Sequence, residues 1–248
     1  MIGSPRLVIY HTSDVHDRRG FGAKLASMVE PDSLLVDCGD ALRGSSTVYR
    51  ASEGIMDELA QAPYKAQAVG NREFHYLHSK MLARSRASRV PWVCSNLIDL
   101  RDRPPAFARS LVVEAGSLRI RVVALLVPQY RTGSGWERFF GWRFLAPDIA
   151  LRDVLASSTD VVDATLLLSH LGLEADRSLA PRFTELAAIV GGHSHDTLAQ
   201  PEIVAGVPIV QAGPFARYAG RLELGLDGHE ARVISYNLIP LLATGTSA

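Results

Sequence analysis

Residues 7–16 read LVIYHTSDVH, an apolar run that ends in an acidic residue and histidines. Such a run predicts a buried strand, with Asp14 and His16 just beyond its carboxyl end. The pattern then alternates, with further strands predicted at 33–37, 66–69 and 91–95 and helices at 21–30, 52–61 and 77–87. Alternation of this kind predicts parallel strands with helices covering the faces of the sheet.

The second half of the chain has a different order of predicted elements, with hairpins as well as strand–helix alternation. Residues 110–114 and 119–127, joined through 115–117, have the pattern of an antiparallel hairpin. A helix is predicted at 148–157, strands at 164–169, 186–190 and 208–211, and a closing hairpin at 220–226 and 231–237. Residues 130–144, rich in glycine, arginine and aromatics without a clear period, are predicted to form a surface loop. The whole pattern favours an α/β fold in which two sheets face each other between helices.

Length and composition place the chain among globular proteins. Its 248 residues suit one domain, 1–248, with 243–248 expected to be a frayed tail. The 26 basic residues equal the 26 acidic ones, so no net charge attracts nucleic acid or a membrane. No run approaches the ~18 apolar residues of a membrane helix, and the start has no room for a signal peptide. Two cysteines, Cys38 and Cys94, make no disulfide framework, so a cytoplasmic protein is expected.

Polar motifs follow five of the apolar runs. They are Asp14-Val15-His16, Gly39-Asp40, Gly70-Asn71, Ser169-His170 and Gly192-His193-Ser194-His195. Residues just past the carboxyl ends of strands face a common crevice in α/β folds. Each motif alone is weak evidence, because Asn71 suits a turn and His170 suits the hydrogen-bonded end of a strand. Together, their nitrogen and oxygen donors predict a site for Mn, Zn, Fe, Ni or Co.

Longer stretches around these motifs resemble a known family. HTSDVH, LLVDCGD, AVGNREF, LLLSHLG, VGGHSH and VPIVQAGPFARYAGRLELGLDG resemble the calcineurin-like metallophosphoesterases, and within them the 5′-nucleotidase branch. These stretches are spread over residues 10–228, which is nearly the whole chain. The resemblance is to the N-terminal catalytic domain, and it implies a four-layer α/β/β/α sandwich of two mixed sheets.

The resemblance also implies a dinuclear centre with seven protein ligands. Asp14, His16 and His195 match the ligands of the first ion, and Asn71, His170 and His193 match those of the second. Asp40 matches the carboxylate that bridges both ions. Two divalent ions, with Mg also possible, would clamp a phosphate and activate a water molecule for attack on phosphorus. The implied function is hydrolysis of a phosphate ester.

One motif departs from the family pattern. The family has Gly-Asn-His-Glu-Phe-Asp, whereas residues 70–75 read GNREFH, so Arg72 and His75 replace the catalytic His-Asp pair. An arginine stabilises phosphoryl charge but, with a pKa above ~12, cannot act as a general acid. Two interpretations stay open. Either the chain is a slow or inactive homologue, or Arg72 binds phosphate while His75 or His78 transfers the proton.

The substrate is predicted only by class. In two-domain nucleotidases a C-terminal domain holds the nucleoside, and this chain is expected to lack that domain. A small phosphorylated substrate, possibly a nucleotide, is therefore predicted, with Asn71, Arg72 and Arg217 contacting it. Two alternatives remain: a phosphodiesterase acting on a good leaving group, and a metal-binding pseudoenzyme that serves as a regulatory module.

Overall fold

The first half of the chain builds one sheet and its covering helices. A computed structural model describes residues 5–50, 53–228 and 230–242. In chain order the elements are β1 (Arg6–Thr12), α1 (Gly22–Met28), β2 (Leu34–Asp37), α2 (Gly54–Leu59), β3 (Tyr64–Ala68), α3 (His78–Ala87) and β4 (Trp92–Val93). All seven predicted elements of this half are confirmed, with somewhat different ends. The first residue of the helix predicted at 52–61, Ser52, lies outside the described residues.

The second half builds the other sheet and completes the first. The elements are β5 (Leu97–Asp99), β6 (Ser110–Ala115), β7 (Leu118–Leu126), α4 (Gly135–Phe140), β8 (Trp142–Phe144), α5 (Pro147–Ser157), β9 (Ala164–His170), α6 (Leu173–Leu179), β10 (Ala188–Gly191), β11 (Glu202–Val204), β12 (Val207–Val210), β13 (Tyr218–Asp227) and β14 (Glu230–Pro240). The predicted tail at 243–248 lies outside the described residues.

Both large sheets are mixed and six-stranded. The first has the order β14-β13-β1-β2-β3-β4, with β1 to β4 parallel and β13 and β14 antiparallel. The second has the order β11-β12-β10-β9-β7-β6, parallel from β12 to β7 and antiparallel at both edges. Parallel central strands direct their carboxyl ends to one edge of each sheet.

Three apolar clusters separate four layers. The central cluster joins the facing sheets, with Ile9 of β1 and Leu168 of β9 both fully buried in it. An outer cluster packs α1 to α3 on the first sheet, and another packs α5 and α6 on the second. The predicted α/β/β/α sandwich is therefore confirmed, and it has the layer order helix, sheet, sheet, helix. No helix in the described part of the chain is long and apolar enough to cross a membrane.

The prediction of a surface loop at 130–144 is wrong. This segment contains α4 and β8, and β8 pairs antiparallel with β5 in a small third sheet. Trp142 and Phe144 are only 1% and 2% exposed, since both rings pack against Phe74. The Trp142 indole also donates to the carbonyl of Tyr76 at 3.1 Å. These contacts are distant in sequence, so a short segment without periodicity did not reveal them. The sequence pattern also predicts no element at 173–179 or 202–204, where the structure has α6 and β11.

Candidate metal centre

The seven predicted ligands all follow or end central strands. Asp14 and His16 come after β1, Asp40 after β2 and Asn71 after β3 in the first sheet. His170 ends β9, and His193 and His195 follow β10 in the second sheet. Hydrogen bonds connect the ligands of the first sheet to those of the second. The backbone N–H of His193 donates to both carboxylate oxygens of Asp14, at 3.0 and 3.2 Å. The facing sheets thus bring the ends of their strands to one place.

Asp14, His16 and His195 form the first of two donor groups. Their ligand atoms lie within 4.8 Å of one another. The Nε2 atoms of His16 and His195 are 3.0 Å apart, and the His195 Nε2 is 3.5 Å from Asp14 Oδ1. A nitrogen separation of this size suits two imidazoles that are each about 2.0–2.1 Å from one ion. The first group therefore fits a divalent transition metal.

Asp14, Asp40 and His170 form the second donor group, also within 4.8 Å. The His170 Nε2 lies 3.4 Å from Asp40 Oδ1 and 3.1 Å from Asn71 Oδ1. The His193 ring centroid is 5.0 Å from that of His170. Two buried carboxylates so close together repel each other unless a cation lies between them, so this group also fits a metal. Asp14 belongs to both groups, whereas the family resemblance assigns the bridging role to Asp40.

A hydrogen bond on the side of the ring away from Asp40 orients His170. Its Nδ1 donates to the carbonyl of Cys38 at 2.7 Å, because a carbonyl only accepts. This bond fixes the ring orientation and directs the Nε2 atom toward Asp40 and Asn71. Burial opposes charge on the ring, but the hydrogen bond and negative charge of Asp40 outweigh it and raise the pKa of His170 to about 9. A metal at this place would displace the proton that the pair otherwise holds.

Other donors are held in the form that binds metal. Burial lowers the pKa of His16 to about 4, and burial also lowers the pKa of His193. The two rings are thus neutral at pH 7 and offer lone pairs. Burial works against the charge of Asp40, yet its hydrogen bond with His170 keeps the pKa of that carboxyl below its usual value.

The backbone at these ligands is unusual. Five of the seven have positive φ angles: Asp14 (51°), His16 (51°), Asp40 (56°), His193 (73°) and His195 (62°). Residues other than glycine rarely adopt this left-handed conformation, and it concentrates at functional sites. Gly39, directly before Asp40, also has a positive φ angle, 93°. A Cβ atom on Gly39 would lie only 2.8 Å from the backbone nitrogen of Gly70. The loops approach each other too closely for any larger residue.

Glu73 joins two of the ligand loops, a role that is absent from the sequence-based predictions. Its buried carboxylate accepts the backbone N–H of Asp40 (2.7 Å), Gly70 (2.9 Å), Ala41 (3.0 Å) and Leu42 (3.1 Å). Burial and the neighbouring charge of Asp40 raise the pKa of Glu73 to about 7, which the backbone donors oppose. The one signal in the sequence is an acidic residue two positions after Asn71 and adjacent to Phe74.

A second network runs from the buried residues Ser169, Asp176 and Gln211 to the His193–His195 turn. The Ser194 hydroxyl accepts from the Leu173 N–H at 3.1 Å and donates to the Gln211 side chain at 3.3 Å. Gln211 in turn donates to the carboxylate of Asp176 at 3.4 Å, and the Ser169 hydroxyl donates to the same carboxylate. Since Ser169 precedes His170, this network connects the strand end of one ligand to the turn that holds two others.

Arg72 contacts a predicted metal ligand, Asp40, whereas His75 does not. The Arg72 N–H donates to Asp40 Oδ1 at 2.8 Å, and its guanidinium is 3.8 Å from Asp40 Oδ2. The His75 ring instead packs edge-on against Tyr49, and its Nδ1 accepts from the Leu77 N–H at 3.0 Å. His78 contacts the Pro104 carbonyl at 2.8 Å. Among the described residues, neither histidine touches a predicted ligand.

Arg217 lies close to the first donor group. Its guanidinium carbon is 5.6 Å from the centroid of the Phe215 ring, and that ring contacts both His16 and His195. Of the three predicted substrate contacts, Asn71 and Arg72 thus lie beside Asp40 in the second donor group. Arg217 lies near the first donor group.

Comparisons with known proteins support the resemblance that the motifs predict. No protein-family model matches the chain. An uncharacterized metallophosphoesterase of Bacillus subtilis, YunD, is 25% identical over 245 residues, covering 93% of this chain and 52% of YunD. The human 5′-nucleotidase is 25% identical over 295 residues, covering 97% of this chain and 50% of its own. The chain thus spans about half the length of these relatives.

Solved structures agree with the sequence comparison. The 5′-nucleotidase precursor of Thermus thermophilus superposes with a TM-score of 0.76 at 25% identity, covering 96% of this chain and 54% of that one. The calcineurin-like phosphoesterase YfkN of Bacillus subtilis gives 0.72 at 16% identity, covering 98% and 93%. The chain is thus similar, over nearly its whole length, to proteins named metallophosphoesterase and 5′-nucleotidase. The resemblance to the calcineurin-like metallophosphoesterases, and within them to the 5′-nucleotidase branch, is confirmed.

Proposed function

We propose that the chain hydrolyses a phosphate ester at a dinuclear metal centre built from Asp14, His16, Asp40, Asn71, His170, His193 and His195. The observation behind this proposal is the pair of overlapping donor groups to which both sheets contribute. The mixed nitrogen and oxygen donors suit Mn, Zn, Fe, Ni or Co, with Mg also possible. When bound, two such ions polarise the phosphoryl group and lower the pKa of a coordinated water.

The protein side chains orient the substrate in this proposal. Asn71 and Arg72 flank Asp40, so both face a phosphate bound at the second group. The Arg72 guanidinium, whose side chain is 38% exposed, can stabilise charge on the equatorial oxygens. His75 stays a predicted catalytic residue, and its buried Nε2 has no hydrogen-bond partner among the described residues.

The proposed substrate is a small phosphorylated compound such as a nucleotide. This proposal draws on relatives named 5′-nucleotidase, which this chain matches over half their length. A single catalytic domain in a reducing cytoplasm also forms part of the proposal, and Cys38 and Cys94 are both free and buried.

Metal reconstitution and a generic assay test the function directly. The purified protein is loaded with Mn, Ni, Co, Zn or Mg and given aryl phosphate monoesters and diesters. We expect two ions per chain by elemental analysis, hydrolysis with at least one metal, and loss of activity and a lower melting temperature with a chelator, since bound ions stabilise the native state. Fewer than one ion per chain would contradict the centre. Two ions without hydrolysis would instead support a metal-binding pseudoenzyme.

Arg72 leads to a prediction about leaving groups. Since arginine supplies positive charge but no proton, esters with acidic leaving groups should react well and alkyl or ribose esters poorly. Replacement of Arg72 by Ala should lower kcat/KM by an amount equivalent to about 2–4 kcal/mol, as for a lost electrostatic stabiliser. The measurement is kcat/KM over a series of leaving groups. A strong preference for diesters in the same series would favour the phosphodiesterase alternative.

Two further variants make the Arg72 experiment decisive. Arg72→His restores the residue type of the family and should narrow the gap between good and poor leaving groups. Arg232→Ala is the matched control, because Arg232 is exposed on β14 opposite Gly225, at the end of the sheet where β1 begins. A flat dependence on leaving-group pKa in the wild type would show that a competent acid exists elsewhere.

A further inference from the structure

One buried arginine binds the backbone of two loops beside the second donor group. Arg84, on α3, has 0% of its surface exposed. Its Nη1 atom lies 3.1–3.3 Å from the carbonyl oxygens of Ser45, Arg72, Glu73 and Phe74, and its Nη2 atom lies 2.5 Å from that of Val48. The guanidinium thus connects the loop that carries Arg72 to residues 43–48, the 43–48 segment.

Glu53 holds the beginning of the 43–48 segment. Its carboxylate, only 6% exposed, accepts the backbone N–H of Arg43 at 2.5 Å and that of Gly44 at 3.1 Å. A Cβ atom on Gly44 would lie 2.9 Å from Glu53 Oε1 and closer still to Arg84 Nη2, so only glycine lets both side chains reach this backbone. The segment is therefore fixed at its start by Glu53 and towards its end by Arg84.

The 43–48 segment also contacts the guanidinium of Arg72. The Arg72 Nη1 atom donates to the Arg43 carbonyl at 3.3 Å, while Nε lies 3.8 Å from Asp40 Oδ2. The guanidinium is thus oriented by two acceptors, a carboxylate on one side and a backbone carbonyl on the other. Its direction depends on where the Arg43 carbonyl lies, and hence on the contacts that hold the segment.

We infer that Arg84 and Glu53 are positioning residues that set the direction of the Arg72 guanidinium. Arg84 fixes the Arg72 backbone through its carbonyl, and the segment that both residues hold supplies the acceptor for the Arg72 side chain. The inference rests on the proposed function, because it concerns the arginine proposed to bind phosphate. A guanidinium binds phosphate best through two parallel hydrogen bonds, so a change in its direction weakens the contact.

Two conservative substitutions would loosen this arrangement in different ways. Arg84→Lys keeps the positive charge but replaces a planar fork by one ammonium nitrogen. One nitrogen cannot make the contacts that the two Nη atoms divide between the Arg72 and Val48 carbonyls. Glu53→Gln leaves Arg84 unchanged, but its amide nitrogen would face a backbone N–H at the start of the segment.

A double-mutant cycle with Arg72→Ala separates positioning from stability. Each protein is loaded at a fixed free Mn concentration, and orthophosphate affinity is measured by calorimetry, bound Mn by elemental analysis and stability by melting temperature. We expect Arg84→Lys and Glu53→Gln each to weaken orthophosphate binding by about tenfold when Arg72 is present, and by less than about twofold in the Arg72→Ala background. Any fall in melting temperature should be the same in both backgrounds. Arg86→Lys, an exposed position on the same helix, is the matched control and should leave affinity and melting temperature unchanged.

The outcomes distinguish the positioning role from the proposed function. Equal losses of affinity in the two backgrounds, wild-type affinity in both variants or in Arg72→Ala, or loss of bound Mn in the variants would overturn the positioning role. Hydrolysis of aryl phosphates by the wild type would be unaffected by those results. If Arg84→Lys does not fold, Glu53→Gln provides the same comparison. Coupled losses of affinity in a protein that hydrolyses no aryl phosphate would overturn the proposed function alone, and failure of the wild type to bind orthophosphate would overturn both.

Discussion

Replacing Asp40 by Asn should lower kcat/KM by about 10³-fold or more and reduce the bound metal below two ions per chain. The side chains are nearly isosteric, so the change removes charge and little else. Two dications about 4 Å apart repel strongly unless an anion lies between them. The new amide would also face the Asn71 Nδ2, which donates to Asp40 Oδ2 at 3.1 Å, so two donors would meet.

The Asp40 experiment combines elemental analysis, kinetics and melting temperature. Asp153→Asn is the matched control, because Asp153 is exposed on α5 and the chemical change is identical. If Asp40→Asn keeps two ions and near wild-type kcat/KM, the bridging role is wrong. Asp14, which belongs to both donor groups, would then be the carboxylate to test for that role.

The position of the candidate site could be predicted from the sequence because it depends on local signals. An apolar run followed by Asp14 and His16, or by Gly39 and Asp40, indicates where a strand ends, and parallel strands end at a common edge. The alternation of strand and helix patterns likewise predicted the two facing sheets. Neither inference required knowledge of a contact distant in the chain.

The parts that were missed depend on distant contacts. Within 130–144, Trp142 and Phe144 are buried because both rings pack against Phe74, about seventy residues earlier. The strained turn at Phe215 is visible only from its backbone angles and from its bond to Asp14. Arg72 and His75 were paired by their motif alone, and the structure places only Arg72 against a predicted ligand. Sequence proximity was therefore a poor guide to the direction of side chains within the 70–75 loop.

Glu73→Gln is expected to weaken the whole centre although Glu73 touches no metal. Each carboxylate oxygen of Glu73 accepts two backbone N–H groups, and an amide nitrogen in place of either oxygen would confront two of those donors. An unsatisfied buried N–H costs about 1–3 kcal/mol, so the free energy of unfolding should fall by about 2–5 kcal/mol. Metal affinity should fall by about 10–100-fold, as for other residues that orient ligands.

Denaturant unfolding and metal titration of the same preparation separate these two effects. Glu114→Gln is the control, since Glu114 is exposed on β6 and the substitution is the same. Because the donors come from the Asp40 loop and from Gly70, both donor groups should loosen at once: His170 and Asn71 through Asp40, and Asp14 through its hydrogen bond to the Gly39 carbonyl. A Glu73→Gln protein with wild-type stability and metal affinity would mean that the loops around Asp40 and Asn71 hold their geometry independently, and that the metal ions rather than Glu73 organise them.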